Sequence, residues 1–288
     1  MRDYIIVTDS DSELDLRYVQ KYNLPVFAMP FTMDGVEYLY DLGVNVKIPD
    51  FFRRLGEGAE VSTSARPYWE IKEFFKQYTD QGLDVLYIAF SNKLSAHYEN
   101  SLMAAKELME EDPSANIVII DTLTISLGQS QLLIRALEMK EEGKSMDEVA
   151  AWVRDNIQHS VVFFVVDDLN YLKRGGRLSG ASAFFGSMLD IKPIIYASPE
   201  GALVPIEKCK GRRKALRRFV ELYEERALDK ENGKLYITES NEGDAAVLRD
   251  MFLEKFPNME IEIWTVGPVI GGHVGPGVLG LSFFGTKR

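Results

Sequence analysis

The sequence predicts an α/β protein of two domains. The N-terminal domain has a mainly parallel sheet with helices on both faces, and the C-terminal domain has a mixed sheet with its own helices. Three observations predict this. In the first half, short continuous apolar runs alternate with segments of helical periodicity, the pattern of strands covered on both faces by crossover helices. In the second half, apolar runs also occur in pairs around tight turns, as antiparallel neighbours do. The length, 288 residues, corresponds to two domains at roughly 150 residues each. The expected division is 1–165 and 166–288, with a cleft between the two.

Taken in order, residues 4–7 form the first strand. The strand ends at Thr8-Asp9-Ser10, and Glu13 three residues after Ser10 gives a capping-box spacing that opens a helix to about residue 22. Residues 26–32 and 36–40 flank Met33-Asp34-Gly35 and read as a hairpin. A helix is expected over 67–78 with Pro67 in its first turn. Strands at 85–90 and 117–120 are each followed by a helix, over 95–110 and 127–141. A helix over 146–157 and a strand over 161–166 complete this half. Gly175-Gly176-Arg177 then marks a loop, and residues 194–196 and 203–208 pair across Pro199-Glu200-Gly201. A long helix covers 212–226. Strands at 235–238 and 261–265 enclose a helix over 244–256, and 279–284 is the last strand.

Charge and composition exclude several classes. Asp and Glu total 44 against 33 Lys and Arg, a net charge of −11. Such a chain repels phosphate backbones at long range, so no nucleic-acid partner is expected. The single cysteine, Cys209, excludes an internal disulfide and a Cys-based zinc site, and it suits a reducing cytosol. The apolar run at 5–7 is too short for a signal-peptide core. The longest apolar run, at 161–166, is far below the roughly 20 residues of a membrane span. A cytoplasmic protein without stable membrane insertion is therefore expected. With three histidines and no His-Glu-x-x-His, no metal site is expected, and there is neither a Gly-x-Ser-x-Gly elbow nor a P-loop.

Candidate chemistry collects where strands end, because open parallel sheets bind ligands beyond their carboxyl ends. Thr8-Asp9-Ser10, Ser91-Asn92-Lys93-Leu94-Ser95 and Asp121-Thr122 follow three of the strands, and Ser62-Thr63-Ser64 precedes the helix at 67. Hydroxyls beside helix N-termini hold anions such as a carboxylate or phosphate, although each also serves as a plain cap. Gly271-Gly272-His273-Val274-Gly275-Pro276-Gly277 places a histidine in a glycine-rich stretch that serves no helix or strand, where it would donate to an anion. The other two histidines, His97 and His159, read as packed or surface residues. Arg174 and Arg177 surround paired glycines and would cradle an anion or cap a helix end. Lys208, Lys210, Arg212, Arg213, Lys214, Arg217 and Arg218 form a basic stretch without an acid, suited to an acidic partner or one solvated face.

These motifs, in this order and nearly end to end, resemble the DegV family of bacterial fatty-acid-binding proteins. The match includes Ser62-Thr63-Ser64, Ser91 through Tyr98, Asp121-Thr122 with Ser126 and Gly128, Tyr171 through Arg177, and Gly272-His273-x-Gly275-Pro276-Gly277. The resemblance implies one long-chain fatty acid held between the domains as ligand, with no other cofactor. Its carboxylate would be held by Thr63 and Ser95 with His273 close by, Ser64 beside them and the Arg174/Arg177 loop supporting that corner. It also implies a separate fatty-acid kinase subunit as partner, with Lys210, Arg212, Arg213 and Lys214 on the docking surface and no turnover by this chain alone. Residues 183–189 are a candidate wall for the apolar tail. The sequence departs from the family where Ala96-His97 replaces the usual Gly-Thr, putting a titratable ring beside the carboxylate site. Two other functions fit the same residues: a hydrolase or transferase using His273 with Ser95 or Thr63, and a fatty-acid-responsive regulator.

Overall fold

The computed structural model describes residues 2–179, 191–240 and 243–288. Residues 183–189, the candidate tail wall, lie outside the described residues. In chain order the first half runs β1 (Tyr4–Asp9), α1 (Leu16–Tyr22), β2 (Val26–Phe27), β3 (Met29–Met33), β4 (Val36–Tyr40), α2 (Ile48–Gly56), β5 (Val61–Thr63), α3 (Tyr68–Thr79), β6 (Asp84–Ala89), α4 (His97–Glu111), β7 (Ile117–Asp121), α5 (Leu127–Glu141), α6 (Met146–Asn156) and β8 (Ser160–Val165). The second half runs α7 (Asn170–Arg174), β9 (Ile191–Ala197), β10 (Leu203–Lys210), α8 (Arg212–Arg226), β11 (Lys234–Glu239), α9 (Asp244–Lys255), β12 (Glu260–Thr265), α10 (Pro268–Val274) and β13 (Leu279–Phe284).

The strands form three sheets. β2-β1-β6-β7 is wholly parallel, β4-β3-β5 is an antiparallel flap, and β10-β9-β8-β13-β11-β12 is mixed, with only β11 and β12 parallel. The α/β class with a parallel N-terminal sheet and a mixed C-terminal sheet is thus as the sequence predicts. β8 pairs only with β9 and β13, so it lies in the mixed sheet although it precedes residue 166.

α5 ties the two large sheets together. Most of its length is buried, because it packs on both. Two glutamines on opposite helical faces do the joining. The Gln129 amide donates to Asp9 Oδ2 and to the Ile88 carbonyl in the parallel sheet, while the Gln131 amide donates to Ser160 Oγ and to the Phe283 carbonyl in the mixed sheet.

Three expectations are corrected. Ser10 and Glu13 do not cap a helix to residue 22. They belong to a short 3-10 turn that ends in a left-handed residue at Glu13 (φ 53°), and α1 starts later with Asp15 accepting from the Arg17 N–H. The reason is that both capping groups are used elsewhere: Ser10 Oγ accepts from the Met29 N–H, and the Glu13 carboxylate takes the Ser126 hydroxyl and the Gly267 N–H. The sequence pattern also misses α2, which buries Phe51, Phe52 and Leu55, and the three-residue β5. The glycine-rich stretch is not a loop throughout, because His273 sits in the last turn of α10. Its glycines permit close packing rather than flexibility. A Cβ at Gly271 would lie 2.8 Å from Phe52, and one at Gly272 only 2.5 Å from Val61.

Candidate functional site

A cavity lies where the carboxyl ends of β1 and β6 face the mixed sheet. Its walls come from both halves of the chain, including Met29, Phe90, Leu94, Val162, Phe164 and Val269. A mostly apolar lining with few polar groups is the usual design of a small-molecule site.

Of the candidate polar residues, Thr63, Ser64, Ser95, Arg177 and His273 all line this cavity. Arg174 does not. It is exposed, stacks 4.7 Å over the Tyr171 ring, and lies in an outer groove that Thr63, Arg177 and His273 also border. The other rim hydroxyls serve the backbone. Thr8 donates to the Ile88 carbonyl, Ser91 to that of Gly201 and Thr122 to that of Ala89. These are ordinary structural uses, and they leave Thr63, Ser64 and Ser95 as the hydroxyls facing the mouth.

The hydrogen bonds at the mouth have a common form. His273 Nε2 lies 2.8 Å from Thr63 Oγ1, and His273 Nδ1 is buried without a partner among the described residues. Burial first, and then the Arg177 charge, push the His273 pKa down to about 4, so the ring is neutral at pH 7. A buried N–H without an acceptor is rarer than a lone pair without a donor. The proton therefore belongs on Nε2, which donates to Thr63 Oγ1 and leaves the Thr63 O–H free to donate. Ser95 is arranged alike: its Oγ accepts from the His97 N–H at 3.2 Å, and its own proton is free. Arg177 is fixed by donating to the carbonyls of Leu94 and Gly175. The mouth thus presents two donor hydroxyls and a guanidinium, which suits an anion.

His97 does not stand beside this site. It is 1% exposed, stacks on Phe27 and Phe90, and its Nε2 lies 2.9 Å from the Tyr87 hydroxyl, which donates to Asp9 Oδ2. Burial, then the Arg66 charge, lower its pKa to about 3. It is a neutral core ring. His159 binds the Gly285 carbonyl through Nδ1, away from the cavity.

Sequence reasoning missed a second polar set. Asp11, Glu13, Ser126 and Thr238 also line the cavity and are nearly fully buried. The available signal was two acids directly after a buried strand. Burial raises the Glu13 carboxyl to about 8, against the lowering effect of its bonds to Ser126 and Gly267. Burial, then the Asp9 and Glu13 charges, raises Asp11 well above its ordinary range.

A pH prediction follows from these shifts. The Glu13 value is raised on folding, so its contribution is full below pH 4.5 and is lost as pH rises to about 8. His97 and His273 act oppositely, losing stability as pH falls from 6.5 towards 3 and 4. Between pH 6.5 and 8 the buried acids dominate, and stability should fall by on the order of 1 kcal/mol per pH unit. Glu13→Gln should flatten that slope in urea unfolding. An unchanged slope in the variant would refute this role for Glu13.

Within the basic stretch, Arg212 pairs with Asp244 at 2.9 Å and Arg218 with Glu207 and Glu225 at 2.8 and 2.7 Å. Lys210, Arg213 and Lys214 are exposed. Arg212 also lies 3.8 Å from Asp167, just ahead of α7, which carries Arg174. No group of His, Cys, Asp and Glu that could hold a metal occurs among the described residues, and no described helix is long and apolar enough to cross a membrane.

Residues 4–286 match the family described as uncharacterised protein, DegV family. A DegV domain-containing protein of Clostridium perfringens is 37% identical over 289 residues, covering 100% of this chain and 99% of the relative. Among solved structures, a DegV family protein from Thermus thermophilus, described by its fatty-acid binding, superposes with a TM-score of 0.89 at 28% identity, covering 99% of this chain and 100% of the other. A fatty-acid-binding DegV family protein from Streptococcus agalactiae superposes with a TM-score of 0.84 at 27% identity, and both chains are covered fully.

Proposed function

This chain belongs to the DegV family, and on that footing we propose that it binds one long-chain fatty acid and presents the acid's carboxylate at the mouth of the cavity. The observation that carries the reading is an apolar cavity whose mouth holds Thr63, Ser64, Ser95, Arg177 and His273. Each CH₂ of the tail removed from water contributes about 0.8 kcal/mol, so the tail drives binding and the head sets direction. Thr63 and Ser95 donate to the carboxylate. His273 acts through Thr63 by occupying its oxygen, and Arg177 supplies positive potential.

The Thr63–His273 pair has the spacing of a nucleophile and its base. Two features favour holding over catalysis. Among the described residues His273 has no orienting carboxylate on Nδ1, and its pKa of about 4 makes it a weak base. The chain is therefore read as a carrier without turnover of its own. Calorimetric titration of delipidated protein with palmitic acid and with palmityl alcohol tests this reading. The acid should bind one-to-one and about tenfold or more tighter, because only the acid brings a charge to the mouth donors and Arg177. Equal affinities would remove the carboxylate site.

The carrier hands its acid to a separate kinase subunit that makes the acyl phosphate. Lys210, Arg213 and Lys214 form the docking face, while Arg212, held by Asp244 and near Asp167, joins that face to the segment bearing α7. Arg213→Glu with Lys214→Glu should abolish kinase-dependent phosphorylation of the bound acid and leave its affinity unchanged. Undiminished phosphorylation would move the docking face elsewhere, and the outer groove beside Arg174 is the next place to test.

A further inference from the structure

The cavity wall carries polar groups that a plain hydrocarbon tail leaves unused. Asp11 is 4% exposed and Thr238 is 6% exposed, and both line the cavity. Asp11 Oδ1 and Thr238 Oγ1 have no hydrogen-bond partner among the described residues. Buried polar groups in native proteins are almost always paired, so two unpaired groups on one cavity point to a missing partner.

The neighbouring polar groups are already committed. Glu13 accepts from the Ser126 hydroxyl and the Gly267 N–H. Asp9 accepts from the Tyr87 hydroxyl, the Gln129 amide and the Asp11 N–H. That leaves Asp11 and Thr238, which come from different sheets: Asp11 follows β1 of the parallel sheet, and Thr238 lies on β11 of the mixed one. Both line the same cavity.

We propose that Asp11 and Thr238 receive a polar substituent on the acyl chain, so that the preferred ligand is an oxygenated fatty acid bearing a hydroxyl or keto group along its tail. The inference rests on the fatty-acid reading above and narrows its ligand class. Burial, then the neighbouring Asp9 and Glu13, favours the protonated form of Asp11, and in that form its carboxyl offers a donor and an acceptor together. The Thr238 hydroxyl offers the same. A ligand hydroxyl donates to one and accepts from the other, and a ketone accepts from either. A second carboxylate would be desolvated here away from Arg177, so the charged head belongs at the mouth.

Sites built to bond a polar group discriminate strongly against analogues lacking it, because the site's own groups then stay unpaired. The experiment titrates delipidated protein with stearic acid and with a series of monohydroxystearic acids differing in hydroxyl position. One positional isomer should bind about tenfold or more tighter than stearic acid. Thr238→Val, which keeps the side-chain shape, and Asp11→Leu should each erase that preference. Asp11→Asn, which keeps a donor and an acceptor, should retain much of it. Circular dichroism confirms that each variant is folded, and Thr238→Val carries the test if Asp11→Leu is not. If stearic acid binds and every hydroxy isomer binds equally or more weakly, this inference falls and the fatty-acid reading stands. If the isomer preference survives in Thr238→Val and Asp11→Leu, the polar group is bound elsewhere and the inference also falls. If stearic acid does not bind, the underlying reading fails.

Discussion

Thr63→Val is expected to weaken fatty-acid binding by roughly 1–3 kcal/mol, about fivefold to 150-fold, and to lower stability by a similar amount because the buried His273 Nε2–H loses its acceptor. The substitution keeps the β-branched shape at the end of β5 and removes the only proton that Thr63 can give to a carboxylate. His273→Phe should cost a similar amount, because without the Nε2 donor the Thr63 hydroxyl is no longer oriented. The double variant should be no weaker than the worse single one, since both changes disable one donor. Fully additive losses in such a cycle would mean that His273 touches the ligand directly. Ser95→Ala acts on both quantities in the same way. Ser95 also accepts from the His97 N–H, so its loss lowers stability by about 1 kcal/mol as well as affinity.

His97→Ala is expected to act mainly on stability. The ring is stacked between Phe27 and Phe90 and bonded to Tyr87 in a fully buried site. Truncating a buried ring of this size costs roughly 3 kcal/mol, partly for the cavity it leaves. Denaturant unfolding should show that loss, while fatty-acid affinity measured on the folded variant should change little. A large loss of affinity at unchanged stability would put His97 at the carboxylate site, beside which only the family resemblance sets its ring.

The same residue shows what sequence can and cannot give. α5, α8 and β13 fall where the apolar pattern predicts, at Leu127–Glu141, Arg212–Arg226 and Leu279–Phe284. Their signals are long apolar patterns set by local geometry. The errors arise where a local pattern is overruled by distant partners. Ser10 and Glu13 have the right spacing for a capping box, but Met29, Ser126 and Gly267 take their side chains first. The glycines at 271 and 272 look flexible in sequence and are instead required by Phe52 and Val61. α2 was missed because its Phe51, Phe52 and Leu55 find their partners in the flap and α10.

The site was legible in part for the same reason. Thr63, Ser64, Ser95, Arg177 and His273 gather at one cavity as expected, while Thr8, Ser91 and Thr122 share the hydroxyl pattern and turn to backbone carbonyls instead. Which way a hydroxyl points depends on the nearest acceptor, and that is a tertiary fact. The buried Asp11 and Thr238 were invisible as a pair because they meet the cavity from strands of different sheets.

A fatty acid carried in this cavity should leave it when the protein is unfolded. The most direct test is to denature the purified protein, extract it with organic solvent and weigh the extract by mass spectrometry against protein amount. One equivalent of a long-chain fatty acid per chain is the expected result, with an oxygenated acid enriched where one is available. A phosphorylated sugar, or no lipid from protein shown to be folded and then unable to take up added fatty acid, would contradict the account.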